Sequence, residues 1–219
     1  MQKILVPIDF SPTSKKAFRY AVDVAFKSSG TIILCHFFKP QKSSEPRATN
    51  NAREYNQQLE ANNLKRLQRL KKKVLTDAKK ELTVSTLIGR MPVVKNILRL
   101  AEDNHIDLIV MGTQGATGLK KITVGSIAAK VMEKSEIPVL LVPEKFVWNK
   151  PKKILFTTTI CKSDKKAFPV LLRFANLYKA QITFVNLRDP HQLYGYKEKE
   201  EFEMYAYSVQ RTFDHVNIQ

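Results

Sequence analysis

Short, nearly continuous apolar runs alternate with longer amphipathic ones through residues 1–143, and this alternation constrains the fold more than any single motif. The apolar runs at residues 4–8, 31–38, 83–88, 106–111 and 138–142 are too uniformly hydrophobic for strands with one wet face. They read as strands buried on both faces, which is the signature of a parallel sheet covered by helices. The intervening segments have helical period. Ala17, Phe18, Ala21, Val22 and Ala25 fall on one face of a helix from Pro12 to Lys27, with Ser11 or Thr13 as its cap. Residues 39–49, with Pro40 and Pro46, read as a loop, and residues 50–80 as a long polar helix. Gly89 is expected to break the third strand. Pro92 suits the first turn of a helix whose apolar face is Val93, Val94, Ile97 and Ala101. The fold expected is α/β: an open, parallel-stranded, doubly wound, Rossmann-like sheet with right-handed crossovers. In such sheets ligands bind beyond the carboxyl ends of the strands, where the strand order reverses; if the order is 3-2-1-4-5, that point lies between the first and fourth strands.

A glycine-rich segment follows the fourth strand at that point. Residues 111–126 contain Gly112, Gly115, Gly118 and Gly125, four of the seven glycines in the chain. Glycines between a buried strand and a helix let backbone amides approach and cradle a phosphate. The spacing Gly-x-x-Gly-x-x-Gly is not the Gly-x-Gly-x-x-Gly of dinucleotide sites, and no glycine here precedes a lysine as in a Walker loop. Taken alone, such a run is better explained by a turn joining strand to helix. Gly125-Ser126 shifts the balance, because it sets a small residue and a hydroxyl where helical amides lack partners and attract anions. From the first strand, Asp9-Phe10-Ser11 faces the same crevice. Asp9 can accept hydrogen bonds from ribose hydroxyls or base amines, or serve only as a negative charge before the helix at Pro12.

Composition narrows the alternatives. The net charge of +17, from 37 Lys and Arg against 20 Asp and Glu, favours polyanionic ligands. Residues 65–73 concentrate the charge, but Leu67, Leu70, Val74 and Ala78 form an apolar stripe through it and no aromatic residue interleaves to stack on bases. A solvated helix face is therefore preferred to a nucleic-acid patch. Cys35 and Cys161 lie far apart, outside any redox or ligand spacing, and read as ordinary thiols of a cytoplasmic protein. His36, His105, His191 and His215 show no metal spacing. His36 reads as a packed strand-end residue. Neither a membrane span nor a signal peptide is expected.

Pro7-Ile8-Asp9-Phe10-Ser11, Met111-Gly112, the pattern Gly-x2-Gly-x9-Gly-Ser carried by Gly112, Gly115, Gly125 and Ser126, and Pro138-Val139-Leu140-Leu141-Val142 together resemble the universal stress protein family in its ATP-binding form. The resemblance covers residues 2–143 in order. It implies an adenine-nucleotide-binding domain with a regulatory or signalling role in stress responses, cytoplasmic, and a homodimer or internal pseudo-dimer. It implies ATP as the bound nucleotide, with or without Mg2+. Carried over residue by residue, Asp9 would bind adenosine with Pro7 and Ile8 lining its pocket. Phe37 would border the base, and Met111 and Gly112 would lie against the nucleotide. Gly115, Gly125, Ser126 and Ile127 would contact the phosphates. Gly118, Lys120 and Lys121 fall outside the family's fixed positions. The two alternatives are a slow ATP hydrolase, for which no general base is evident, and a scaffold working through its basic helix without a nucleotide.

The chain also repeats at an offset of 150. Lys153-Ile154-Leu155 repeats Lys3-Ile4-Leu5, and Lys165-Lys166-Ala167-Phe168 repeats Lys15-Lys16-Ala17-Phe18. The expected division is a nucleotide-binding domain at 1–145 and a partial second copy at 152–219. The second copy would hold strands at 153–158 and 181–187, helices at 163–178 and about 197–212, and the start of a third strand at 213–219. Thr159 stands in the position of Asp9, and the glycine segment has no counterpart, so one nucleotide site per chain is expected.

Overall fold

The computed structural model describes residues 1–41, 49–113, 124–145, 147, 149–158, 162–186, 200, 204, 207 and 216–218. The chain divides into two compact units, Met1–Val147 and Trp148–Gln219.

The first unit runs β1 (Lys3–Pro7), α1 (Pro12–Lys27), β2 (Thr31–Phe38), α2 (Thr49–Ala78), β3 (Val84–Arg90), α3 (Val93–Asp103), β4 (Leu108–Gly112), α4 (Ser126–Lys134) and β5 (Val139–Val142). The five strands form one sheet in the order β3-β2-β1-β4-β5, and every pairing is parallel. The parallel sheet is the one expected from the alternation, and its order is the one that places the crevice between the first and fourth strands. Leu5 on the central strand lies level with Ile33 and Ile109. On that face Leu5, Cys35, Ile109 and Met111 pack with Ile97 and Ala101 of α3 and with Ala128 and Val131 of α4. Ile4 and Val6 point to the other face and are equally inaccessible, as are Ala17, Phe18, Ala21 and Ala25 of α1. A buried Leu or Ile contributes about 1.5–3 kcal/mol relative to its exposed state, so the central strands anchor the unit.

Some boundaries differ from expectation, and in the following cases a local reason is visible. β1 ends at Pro7, yet the Ile8 amide still donates to the Cys35 carbonyl at 2.7 Å, so the chain keeps its course past the ladder. β4 starts at Leu108, because Ile106 closes the end of α3 by donating its amide to Ala101, and the Asp107 carboxylate accepts the amides of Gln2 and Lys3. Gly89 does not break β3. It lies inside the strand, level with Phe37 of β2, whose ring occupies the space a side chain would need.

The long polar helix is as expected, with its charges in solvent. Leu67 and Val74 are fully buried, while Lys65, Arg66, Arg69, Lys72 and Lys73 are exposed. Lys71 turns inward, and its ammonium donates to the Val84 carbonyl. Asn63 is also buried, a position that period alone did not mark.

The second unit contains β6 (Lys153–Thr158), α5 (Lys162–Tyr178), β7 (Gln181–Asn186) and β8 (Val216–Ile218), with a parallel sheet of order β6-β7-β8. Its core gathers Phe168, Leu172, Ala175, Ile182 and Phe184, with the Phe156 and Phe184 rings edge to face at 5.2 Å. Geometry repeats at the sequence offset. Lys3 pairs with Thr31 and Lys153 with Gln181. The turn after α1 has Ser29 at φ 51° and Gly30 donating to Ala25; the turn after α5 has Lys179 at φ 53° and Ala180 donating to Ala175. Most of the helix expected at about 197–212 lies outside the described residues, as do Thr159 and Cys161.

Candidate functional site

The central strand β1 hydrogen-bonds β2 on one side and β4 on the other, and beyond the carboxyl ends of these strands lies a cavity of about 300 Å3. Pro7, Ile8 and Asp9 line it from the end of β1, Phe37 from β2, Met111 and Gly112 from β4, and Gly125, Ser126 and Ile127 from the start of α4. Nine residues singled out from sequence thus share one enclosure. The tenth, Gly115, lies outside the described residues, as do Gly118, Lys120 and Lys121. Sequence reasoning missed Ser14, Val93, Ile97, Thr113 and Ala128, the other described residues of the lining. The available signal is Pro92, the N-cap of α3 at this same edge of the sheet; period alone marks Val93 and Ile97 only as the apolar face of that helix.

Of the helices that begin at the cavity, α1 and α4 have ends that differ. At α1 the cap is Ser11: its Oγ accepts the Ser14 amide at 3.1 Å, and the Asp9 Oδ1 accepts the Ser11 amide at 2.9 Å. This closes the helix start with the chain's own side chains. At α4 the cap is Gly125, and among the described residues no side chain caps this end. The first intrahelical bond runs from the Ala129 amide to the Gly125 carbonyl at 2.9 Å, so the amides of Ser126, Ile127 and Ala128 have no helical acceptor. The position of this end is fixed by the Gly125 amide donating to Thr113 and the Thr113 amide donating to Val142. A helix start of this kind, beside a hydroxyl residue, presents amide donors of the type that attract anions.

Two glycines set the walls. A Cβ on Gly112 would lie 2.8 Å from the Thr13 Cβ and 2.9 Å from its backbone carbonyl carbon, so only glycine lets the start of α1 close on the end of β4. A Cβ on Gly89 would lie 2.6 Å from the Phe37 ring, so glycine there gives the ring its place in the cavity wall.

The loop after β1 is held by a cluster beside the cavity. Phe10 has φ 64°, a left-handed conformation that costs a non-glycine residue about 1–2 kcal/mol. Its ring lies 4.7 Å from the His36 ring, and the Arg66 guanidinium lies 4.1 Å above it. The Nδ1 of His36 is 2.6 Å from the Ile8 carbonyl, an acceptor only, so Nδ1 carries the proton and donates. Burial lowers the His36 pKa; the Arg66 charge lowers it further, while the Ile8 bond and Asp9 oppose the shift. His36 is the packed strand-end residue expected. Cys35 is fully buried, and burial pushes its thiol pKa far above the ordinary range, as suits an inert core residue.

With this geometry in place, the comparison with known proteins is direct. The model of the universal stress protein family matches residues 1–143. The chain belongs to the universal stress protein family. Universal stress protein MJ0577 of Methanocaldococcus jannaschii is 32% identical over 155 residues, which cover 66% of this chain and 96% of that protein. UspA of Lactobacillus plantarum superposes with a TM-score of 0.56 at 22% identity over 64% of this chain and 97% of its own. A universal stress protein of Archaeoglobus fulgidus superposes with a TM-score of 0.68 at 15% identity, covering 99% of this chain and 77% of its own, a likeness of fold. Among the described residues of this universal stress protein, no helix is long and apolar enough to cross a membrane. No group of three His, Cys, Asp or Glu side chains among them could hold a metal ion.

Proposed function

We propose that this universal stress protein binds an adenine nucleotide, ATP in the first instance, in the cavity between β1 and β4. The observation that carries this is the pairing of one carboxylate, Asp9, with one helix start that no described side chain caps, at Gly125-Ser126, in a single apolar enclosure. The carboxylate supplies acceptors for ribose hydroxyls or the base amine. The amides of α4 and the Ser126 hydroxyl supply donors for phosphate oxygens. Phe37, Val93 and Ile97 supply the apolar surface that a base requires. The cavity volume sits at the lower end of the range for small-molecule sites, about 300–1,000 Å3. Any Mg2+ would arrive with the triphosphate and keep most of its water.

The role we propose is regulatory rather than catalytic. Among the described lining residues Asp9 is the sole ionisable side chain, which leaves hydrolysis without an evident general base beside the phosphates. We propose a cytoplasmic location and assembly as a homodimer or internal pseudo-dimer. The second unit is proposed as a partial copy of the first, supported by the strand register, helix and turn that recur at the same offset. Thr159, at the position of Asp9, leaves this copy without the carboxylate of the first site.

Calorimetric titration of the intact chain with ATP tests the proposal. Saturable binding that weakens at least tenfold in Asp9→Ala and in Ser126→Ala is expected. Absence of measurable ATP binding by the intact, folded chain would refute it. Many turnovers per second, lost in Ser126→Ala, would favour the hydrolase.

A further inference from the structure

We propose that Phe10, clamped between His36 and Arg66, is a positioning residue that sets the Asp9 carboxylate at the cavity, and that the basic helix α2 thereby tunes the site through Arg66. This rests on the nucleotide-binding reading above only for its ligand arm. Arg66 belongs to the basic run of α2, of which Lys65, Arg69, Lys72 and Lys73 are exposed and which the cavity itself does not use.

Three observations converge. First, Phe10 directly follows Asp9 and holds a positive φ, which glycine would adopt freely. A bulky side chain there persists only where the surroundings hold it. Second, the surroundings do so from two elements: the His36 ring from β2 at 4.7 Å and the Arg66 guanidinium from α2 at 4.1 Å. His36 is itself fixed by donating to the carbonyl of Ile8, the residue before Asp9. Third, the reversal at Phe10 is what brings the Ser11 amide back to the Asp9 Oδ1 at 2.9 Å. Asp9 is therefore bracketed. Ile8 before it is tied to β2, Phe10 after it is clamped from above, and Ser11 binds its carboxylate. Removing the guanidinium frees the ring, widens the range of backbone conformations at Phe10 and loosens the Asp9–Ser11 bond. Residues two elements away thus decide where the carboxylate points.

The test compares Arg66→Ala, Arg66→Lys and Asp9→Ala with the intact chain, using two readouts. The ligand-free readout is the amide proton shift of Ser11 in a pH titration, which reports the Asp9 carboxylate through their hydrogen bond. Arg66→Ala is expected to shrink the titration response of the Ser11 amide, and Arg66→Lys, which keeps a cation over the ring, to restore most of it. The ligand readout is the ratio of affinities for ATP and 2′,3′-dideoxy-ATP. The intact chain is expected to prefer ATP, Asp9→Ala to lose the preference, and Arg66→Ala to weaken ATP by about fivefold, the scale of one cation–π contact, while the dideoxy compound changes little. An unchanged Ser11 response in a folded Arg66→Ala chain overturns the positioning role whatever the ligand result. Equal loss for both nucleotides, or identical behaviour of the Ala and Lys variants, also overturns it. If the intact chain binds neither nucleotide, the nucleotide reading fails, and the Ser11 titration still decides the role of Phe10 and Arg66.

Discussion

The Phe37 ring lies over Gly89 on the neighbouring strand, so close that a Cβ on the glycine would stand 2.6 Å from two ring carbons. Phe37 is also part of the cavity wall, which makes Gly89 a residue of the site without touching it. Gly89→Ala is expected to push the ring off its position and to cost about 1–3 kcal/mol, as overpacking does elsewhere. Stability would fall in urea titration and ATP affinity would fall with it. Because the obstacle is a side chain, Phe37→Leu in the same background should recover most of the stability. A double variant no more stable than Gly89→Ala alone would show that the ring is not the obstacle.

Gly112 presents the contrasting case. The atoms nearest to a Cβ there include the backbone of Thr13 as well as its side chain. Trimming the side chain cannot relieve a clash with the main chain at the start of α1. Gly112→Ala is expected to cost at least as much as the Gly89 substitution, and Thr13→Ala should fail to rescue it. Chemical denaturation of the single and double variants measures both. Rescue by Thr13→Ala would mean that α1 has more freedom against β4 than the close approach indicates.

Ser11 caps α1 through the Ser14 amide and also receives the Asp9 contact through its own amide. Ser11→Ala removes the first interaction and keeps the second. The loss expected is about 1 kcal/mol, the usual value of a serine cap. Asp9 remains attached to the backbone, so ATP affinity should change much less in this variant than in Asp9→Ala. Equal losses of affinity in the two would place the Ser11 hydroxyl itself against the ligand.

The limits of reading this chain from sequence are visible in the same residues. The parallel sheet followed from the apolar runs, because each run records a constraint local to one element; the meeting of Asp9 with Gly125 and Ser126 rested on an assumed strand order and on the family resemblance. Gly89 was misassigned as a strand break because its reason lies on another strand: the Phe37 ring is 52 residues away in sequence and level with it in the sheet. Val93 and Ile97 read as core because a helix face that lines a cavity and one that packs on a sheet have the same period. The clamp on Phe10 was not legible at all. Neither its positive φ nor the approach of Arg66 leaves a mark in composition or spacing.

His36 carries the last prediction, a dependence of stability on pH. Its folded-state pKa lies below the ordinary 6.5, chiefly because burial disfavours the imidazolium. The groups around it are the Ile8 carbonyl, the Phe10 ring, the Arg66 guanidinium, which opposes protonation, and the Asp9 carboxylate, which favours it more weakly. Near pH 6.5 the unfolded chain therefore binds more protons at this residue than the folded chain does. The contribution of neutral His36 to stability is complete above 6.5 and is lost as pH falls below that value. Melting temperature should decline between pH 7 and pH 5.5 in the intact chain. His36→Phe keeps a ring against Phe10 but has nothing to protonate, so its decline over the same interval should be shallower, even if its stability at pH 7 is lower through loss of the Ile8 bond. Parallel curves for the two chains would mean that His36 is protonated as readily in the folded chain as in the unfolded one.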